Sequence, residues 1–191
     1  MPKRKESNEE RQFEAWADEA VKHGLVRHYV KQPDSWELIP ARWVMVEKQL
    51  KTKTKTVEKS VCRAHSYTAD FRLRLTPLGM ELFRGVFQKT DLLGFPYGRL
   101  YLDTKGGFQD RGSTAEFSIN QKLVYEKTGI WVAKVVPWVS QSRGRKKCLF
   151  LDTWCPHSLR WMTNRKMPTL NAMGSECLTV EEWIDGRGKG K

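Results

Sequence analysis

The sequence lacks the patterns of membrane-spanning and zinc-binding proteins. No stretch approaches the roughly 18 uncharged apolar residues that a transmembrane helix needs, and the first residues are charged rather than apolar. The four cysteines are widely spaced and form no Cys-x-x-Cys pair, which argues against a zinc knuckle and a dithiol redox couple. We therefore expect a cytoplasmic protein with reduced cysteines and no membrane partner.

Acidic residues are also in deficit. The chain of 191 residues carries 34 Lys and Arg against 22 Asp and Glu, a net charge of +12. Such a charge favours polyanionic partners, with nucleic acid before an acidic membrane surface. The length predicts a single domain over residues 7–185. It would lie between a basic N-terminal arm (1–6) and a basic, glycine-rich tail (186–191), both expected to be disordered.

The order of predicted elements indicates an α/β fold. Ser7 and Glu10 have the spacing of a capping box, and the apolar stripe that follows predicts a helix ending at Gly24. A second helix is predicted over 114–127, and residues 76–98 form an insertion without a clear pattern. Strands are predicted over 36–49, 67–75, 99–105, 130–136 and 148–153. We expect a mixed central β-sheet flanked by helices.

Two basic segments are candidate nucleic-acid contacts. In the Lys/Thr-rich run within 50–58, alternation places Lys51, Lys53 and Lys55 on one side of an extended chain. The run is either the tip of a long hairpin that touches DNA or a solvated loop. A second group lies between two predicted strands, at a hairpin tip suited to phosphate contacts. It consists of Arg143, Arg145, Lys146 and Lys147.

A second pattern concerns the acidic residues of two strands. Side chains alternate along a strand, so Asp103 and Lys105 point to one face. If the strand that begins at Asp70 pairs beside them, a second carboxylate arrives at the same place. With the backbone carbonyl of Thr104, these oxygens form the ligand set that Mg²⁺ or Mn²⁺ prefers. A divalent cation beside a lysine suits phosphodiester cleavage.

The segments Tyr67-Thr68-Ala69-Asp70-Phe71 and Leu102-Asp103-Thr104-Lys105-Gly106 resemble the PD-(D/E)xK nuclease superfamily. They are most similar to its phage Holliday-junction endonucleases and related small phage endonucleases, although Ala69 stands where the family pattern has proline. The resemblance implies a restriction-endonuclease-like core and Mg²⁺-dependent hydrolysis of branched or replicative DNA. It also implies a homodimer, because two strands of a junction are cut together, and the host-cell cytoplasm as location.

The same resemblance implies roles for individual residues. Asp70 and Asp103 would be metal-site acids and Lys105 the catalytic lysine. A glutamate of the first helix would join the metal, and the spacing from Ser7 selects Glu10 over Glu9 and Glu14, although a plain capping box has this spacing too. A polar or basic residue of the helix after the lysine would contact DNA. The candidates are Gln121 and Lys122, which would otherwise form a solvated helix face.

Two other functions remain open at this stage. The chain would be a non-catalytic, basic DNA-binding protein if its carboxylates were only structural. It would be a nuclease with the same core but another task if it served DNA packaging, transposition or degradation of host DNA.

Overall fold

The computed structural model describes residues 6–106, 111–138, 148–160 and 177–188. The basic group formed by Arg143, Arg145, Lys146 and Lys147 lies outside these residues, as do most of the predicted N-terminal arm and the end of the predicted tail. In the described part of the chain no helix is long and apolar enough to cross a membrane.

Most strands and helices are short, and two of the helices are much longer than the others. The helices are α1 (Asn8–Lys22), α2 (Pro77–Leu82), α3 (Thr90–Leu93), α4 (Arg111–Thr128), α5 (Leu149–Asp152), α6 (His157–Arg160) and α7 (Val180–Gly188), with a 3₁₀ turn at Pro96–Gly98. The strands are β1 (Val26–Lys31), β2 (Ser35–Ile39), β3 (Arg42–Gln49), β4 (Thr54–Cys62), β5 (His65–Thr68), β6 (Phe71–Leu75), β7 (Arg99–Thr104) and β8 (Val132–Val135).

Four strands form the central sheet in the order β1-β6-β7-β8. The pairs β1–β6 and β6–β7 are antiparallel, whereas β7 and β8 are parallel and are connected through α4. Helix α1 packs on one face, where Phe13 and Trp16 join Leu73 and Leu102 in the core. Residues of α4 pack on the other face. The expected α/β fold with a mixed central sheet flanked by helices is confirmed.

Helix α1 forms for the reasons visible in its sequence. The Ser7 hydroxyl accepts a hydrogen bond from the Glu10 N–H (3.1 Å), and the Glu10 carboxylate accepts one from the Ser7 N–H (3.3 Å). This capping box satisfies two N–H groups that the helix leaves without partners. Phe13 and Trp16 are fully buried, and the ring centroids of Phe13 and Phe71 are 4.6 Å apart. This packing holds the N-terminal part of α1 close to the start of β6.

Two predicted strands are divided in the structure. Residues 36–49 form β2 and β3, and residues 67–75 form β5 and β6, with Asp70 in the break. Strand β5 pairs with β2, whereas β6 enters the central sheet. The strand β1, at the edge of the central sheet, was not predicted. Alternation alone does not show where a chain leaves one sheet for another.

Other segments also differ from the prediction. The predicted strand at 148–153 contains the helical turn α5, since Leu149 and Phe150 are buried and a short apolar run does not distinguish a strand from a buried helical turn. The segment 76–98 holds α2, α3 and the 3₁₀ turn. Helix α7 extends to Gly188, so residues 186–188 are helical where a disordered tail was expected.

Candidate functional site

Asp70 and Asp103 lie beside each other on neighbouring strands. Asp70 immediately precedes β6, and Asp103 is the second-last residue of β7. These strands are antiparallel with Phe71 opposite Leu102, so the next pair along the ladder brings the two aspartates together. Both are almost completely buried, with exposures of 6% and 3%. We call Asp70 and Asp103 the acidic pair.

Thr104 holds the Asp70 carboxylate in place. Its backbone N–H and its hydroxyl both donate to Asp70 Oδ2, at 2.8 and 2.9 Å. Hydrogen bonds to the ionised form stabilise a buried carboxylate. Sequence reasoning gave Thr104 a role through its backbone carbonyl as a metal ligand. The structure shows Thr104 orienting the carboxylate next to it, and the role of its carbonyl as a ligand stays a prediction.

Lys105 forms an ion pair with Asp103 of the acidic pair. Its Nζ atom lies 2.5 Å from Asp103 Oδ2, and the Lys105 side chain is 24% exposed. The ammonium also lies 5.6 Å from the centroid of the Phe117 ring of α4. Asp103 and Lys105 therefore share the face of the sheet that α4 covers, as alternation along β7 predicts.

The surroundings of Asp103 disfavour the ionised form of its carboxyl group. The pKa of the Asp103 carboxyl is raised from its usual 3.8 to about 7. Burial is the main cause, followed by the hydrogen bond with Asp70 and the negative charge of Asp70, while Lys105 acts in the opposite direction. A bound cation would relieve this repulsion. Burial and the neighbouring Asp70 thus disfavour the ionised form of Asp103, an effect that a bound divalent cation would oppose.

Lys134 is a second ammonium near the acidic pair that sequence reasoning missed. It stands opposite Asp103 in the parallel pairing of β7 and β8. Burial lowers the Lys134 pKa, and the nearby charge of Lys105 lowers it further. The sequence does contain a sign of this residue's role, a lysine within an otherwise apolar strand, since lysine is rarely buried unless it is paired. Lys134 comes near Asp103 only because β8 pairs with β7.

Tyr67 closes the site on the side of β5. Burial raises the pKa of its phenol, and the negative charges of Asp103 and Asp70 raise it further, so the hydroxyl stays protonated near the acidic pair. On the same face of β5, His65 Nε2 lies 2.8 Å from Asn120 Oδ1 of α4. This hydrogen bond fixes β5, and therefore Tyr67, against α4.

Glu10 lies in the first turn of α1. It is buried on α1, which packs on the opposite face of the sheet from α4, and its carboxylate accepts the Ser7 N–H. Among the residues that the structure describes, no group of three or more His, Cys, Asp or Glu side chains is arranged to hold a metal ion. The role of Glu10 as a third acid thus remains a prediction.

The candidate DNA contacts of α4 have different positions. Gln121 is buried, and its amide donates to the Val132 carbonyl (2.6 Å) and to Gln88 Oε1 (3.2 Å). It therefore links α4 to β8 rather than forming a free surface, because its helical position turns it towards the sheet. Lys122, the neighbouring candidate, is exposed.

The donor set fits a small divalent cation. Mg²⁺ is commonly held by one or two carboxylates, with water and substrate phosphate supplying the remaining oxygens. Asp70 and Asp103 supply two such carboxylates, and Lys105 and Lys134 supply positive charge beside them. An ammonium at this position can also contact a phosphate oxygen.

No family model, characterised protein or solved structure matches this chain. The assignment of function therefore depends on the residues and geometry of the site.

Proposed function

We propose that this protein is a metal-dependent DNA endonuclease of the PD-(D/E)xK type. The observation that carries the proposal is the acidic pair on two adjacent strands, with Lys105 in contact with Asp103. This is the arrangement of acids and lysine that the sequence motifs imply. The mixed central sheet with helices on both faces agrees with the restriction-endonuclease-like core that the resemblance implies.

Each side chain has a distinct task in the proposed reaction. Asp70 and Asp103 would hold Mg²⁺, which would supply Lewis-acid stabilisation of the charge that develops on the scissile phosphate. Thr104 keeps Asp70 oriented through its two hydrogen bonds. Lys105 donates to the reacting phosphate or its attacking water from a position fixed by Asp103. Lys134 adds positive charge on the same face.

The net charge of +12 supports DNA as the substrate class. A phosphodiester backbone supplies the repeated negative charge that a basic surface attracts, and the acidic pair alone would repel it. The acidic pair would hold a divalent cation, which would offset this repulsion by supplying positive charge for the phosphate.

The experiment compares cleavage of supercoiled plasmid, linear duplex, single strands and a four-way junction in Mg²⁺ and in EDTA. We expect cleavage only with the metal. Asp70→Asn, Asp103→Asn and Lys105→Ala should each reduce cleavage by at least about 100-fold, on the order of the loss of one transition-state contact, while retaining DNA binding. Glu126→Gln removes an exposed carboxylate of α4 and serves as the control with unchanged activity.

A non-catalytic DNA-binding protein is the competing outcome. It would bind the same DNA panel without metal-dependent cleavage, and Asp103→Asn would alter none of its measured properties towards DNA. Cleavage that persists in the Asp70 and Asp103 variants would also contradict the proposal, because it would come from another site or a contaminant.

A further inference from the structure

The β3–β4 hairpin, Arg42–Cys62, is a separate two-stranded sheet that we call the ribbon. All residues of β3 are exposed, and most of β4 is exposed as well. The turn closes with a hydrogen bond from the Leu50 N–H to the Lys53 carbonyl (2.8 Å). The ribbon thus presents both of its faces at the surface, although it is rich in large apolar and charged side chains.

The register divides the side chains of the ribbon into two unlike faces. Residues directly opposite each other in an antiparallel pair share a face. The basic face consists of Val44, Val46, Lys48, Lys55, Val57 and Lys59. The acidic face consists of Trp43, Met45, Glu47, Gln49, Thr54, Thr56, Glu58 and Ser60. All three strand lysines of this register are therefore on one face, and both glutamates are on the other.

The lysine run does not have the one-sided arrangement expected from alternation. Lys51 and Lys53 belong to the turn, and only Lys55 lies in β4. The turn therefore places two lysines at the tip of the ribbon, while the partner strand contributes Lys48 to the basic face. Strand pairing, rather than the Lys/Thr repeat, creates the positive surface.

Lys48 and Lys55 stand directly opposite each other. Like charges at directly opposite positions destabilise an antiparallel pair, with side chains about 5 Å apart at Cβ. Glu47 and Glu58 point to the other face and do not separate the two ammonium groups. A polyanion lying along the basic face would remove this repulsion, so the arrangement favours an anionic partner.

The dimensions and composition of the basic face favour B-form DNA. The eight residues of β3 extend over about 26 Å at about 3.3 Å per residue. That length corresponds to about eight base pairs at about 3.4 Å each, and the major groove of B-form DNA admits a two-stranded ribbon. The valines supply apolar contacts to the groove, including thymine methyl groups, between lysines that reach the phosphates.

We propose that the basic face of the ribbon binds in the major groove of duplex DNA. The inference rests on the proposed function, because it assigns the surface that would hold the endonuclease on its substrate. It concerns binding alone and is measured without metal, so it fails or holds independently of cleavage.

The test measures binding of the full chain to a fluorescent DNA duplex by anisotropy, in EDTA and over a series of NaCl concentrations. The variant Lys48→Gln/Lys55→Gln/Lys59→Gln removes three positive charges from the basic face. A second variant combines these three substitutions with Glu47→Lys and Glu58→Gln on the acidic face. Glu47→Lys raises the net charge by two and Glu58→Gln raises it by one, so the net charge returns to that of the wild-type chain. Both variants alter exposed residues of the ribbon, and thermal melting verifies that they fold.

We expect the triple variant to bind at least about tenfold more weakly. The magnitude of its slope of log K against log salt should fall by about 2 to 3, because each lost phosphate contact removes about 0.9. The charge-restored variant should remain weak, since its new charge lies on the wrong face. Unchanged binding of the triple variant, or recovery in the charge-restored variant, would overturn the proposal.

Three further arms test the identity of the partner. A duplex RNA of the same sequence should bind more weakly, because the A-form major groove does not admit a ribbon; equal, lysine-dependent binding to RNA would contradict groove docking. Vesicles of phosphatidylserine and phosphatidylcholine that outcompete the DNA would assign the basic face to a membrane surface instead. Tighter self-association of the wild-type chain than of the triple variant would assign it to a second copy.

The binding and cleavage results separate the two proposals. Ribbon-dependent binding without any metal-dependent cleavage would refute the endonuclease and retain the ribbon surface. Metal-dependent cleavage with unchanged binding in the triple variant would refute only the ribbon surface. A wild-type chain that binds no duplex DNA in EDTA but cleaves DNA in Mg²⁺ would likewise refute only the ribbon surface.

Discussion

Asp103→Asn should make the metal-free protein more stable while it removes activity. In the folded chain the Asp103 pKa is about 7, compared with its usual 3.8, so the folded state disfavours the ionised carboxylate. An asparagine has nearly the same shape, carries no charge, and its oxygen can still accept a hydrogen bond from Lys105. The substitution thus removes the burial and repulsion costs with little change in packing.

The size and pH dependence of the effect follow from linkage. Between the usual pKa of 3.8 and the folded value of about 7, the folded state binds more protons than the unfolded state, so the free energy of unfolding falls as pH rises through this window. A difference of about 3 pKa units corresponds to at most about 4 kcal/mol. Asp103→Asn should therefore raise the free energy of unfolding by about 1 to 4 kcal/mol above about pH 8, and by far less near about pH 4.

The assay is urea unfolding and thermal melting of both proteins at these two pH values, with and without Mg²⁺. Each kcal/mol should raise the melting temperature by about 2–4 °C in a chain of this size. Mg²⁺ should stabilise the wild-type protein and have little effect on the variant, since a ligand stabilises the state that binds it. A variant that is less stable near about pH 8, or equally stabilised at both pH values, would refute the reasoning.

Three further predictions concern Glu10 and two buried positions, Gly79 and Trp16. Glu10→Gln should reduce cleavage while Glu9→Gln does not; glutamine retains a capping box, so equal activities in the plasmid assay would exclude Glu10 from the metal site. Gly79→Ala should lower the free energy of unfolding by more than about 2 kcal/mol, because its Cβ would overlap the Leu25 carbonyl group; urea unfolding measures this change. Trp16→Ala, at a fully buried position, should cost about 3–5 kcal/mol in the same assay, and a loss below about 1 kcal/mol would contradict its place in the core.

Some of the site was readable from local patterns. The helix cap at Ser7 and the shared face of Asp103 and Lys105 depend on residues a few positions apart, whose geometry the backbone period fixes. The prediction that Asp70 and Asp103 meet needed one further condition, the pairing of their strands, which the structure fulfils. The nearby Lys134 depends on a parallel pairing across α4, which no local pattern contains.

Composition and periodicity are local properties, so they were enough to predict the basic character of the chain, the α/β class, the first helix and the residues of the two acidic motifs. The other features of the site depend on the folded chain. Burial and strand order set the Asp103 pKa, the helix face that turns Gln121 inwards is defined by the sheet below it, and the β3–β4 register places Lys48 opposite Lys55. These properties arise between residues distant along the chain, so they exist only once the chain has folded.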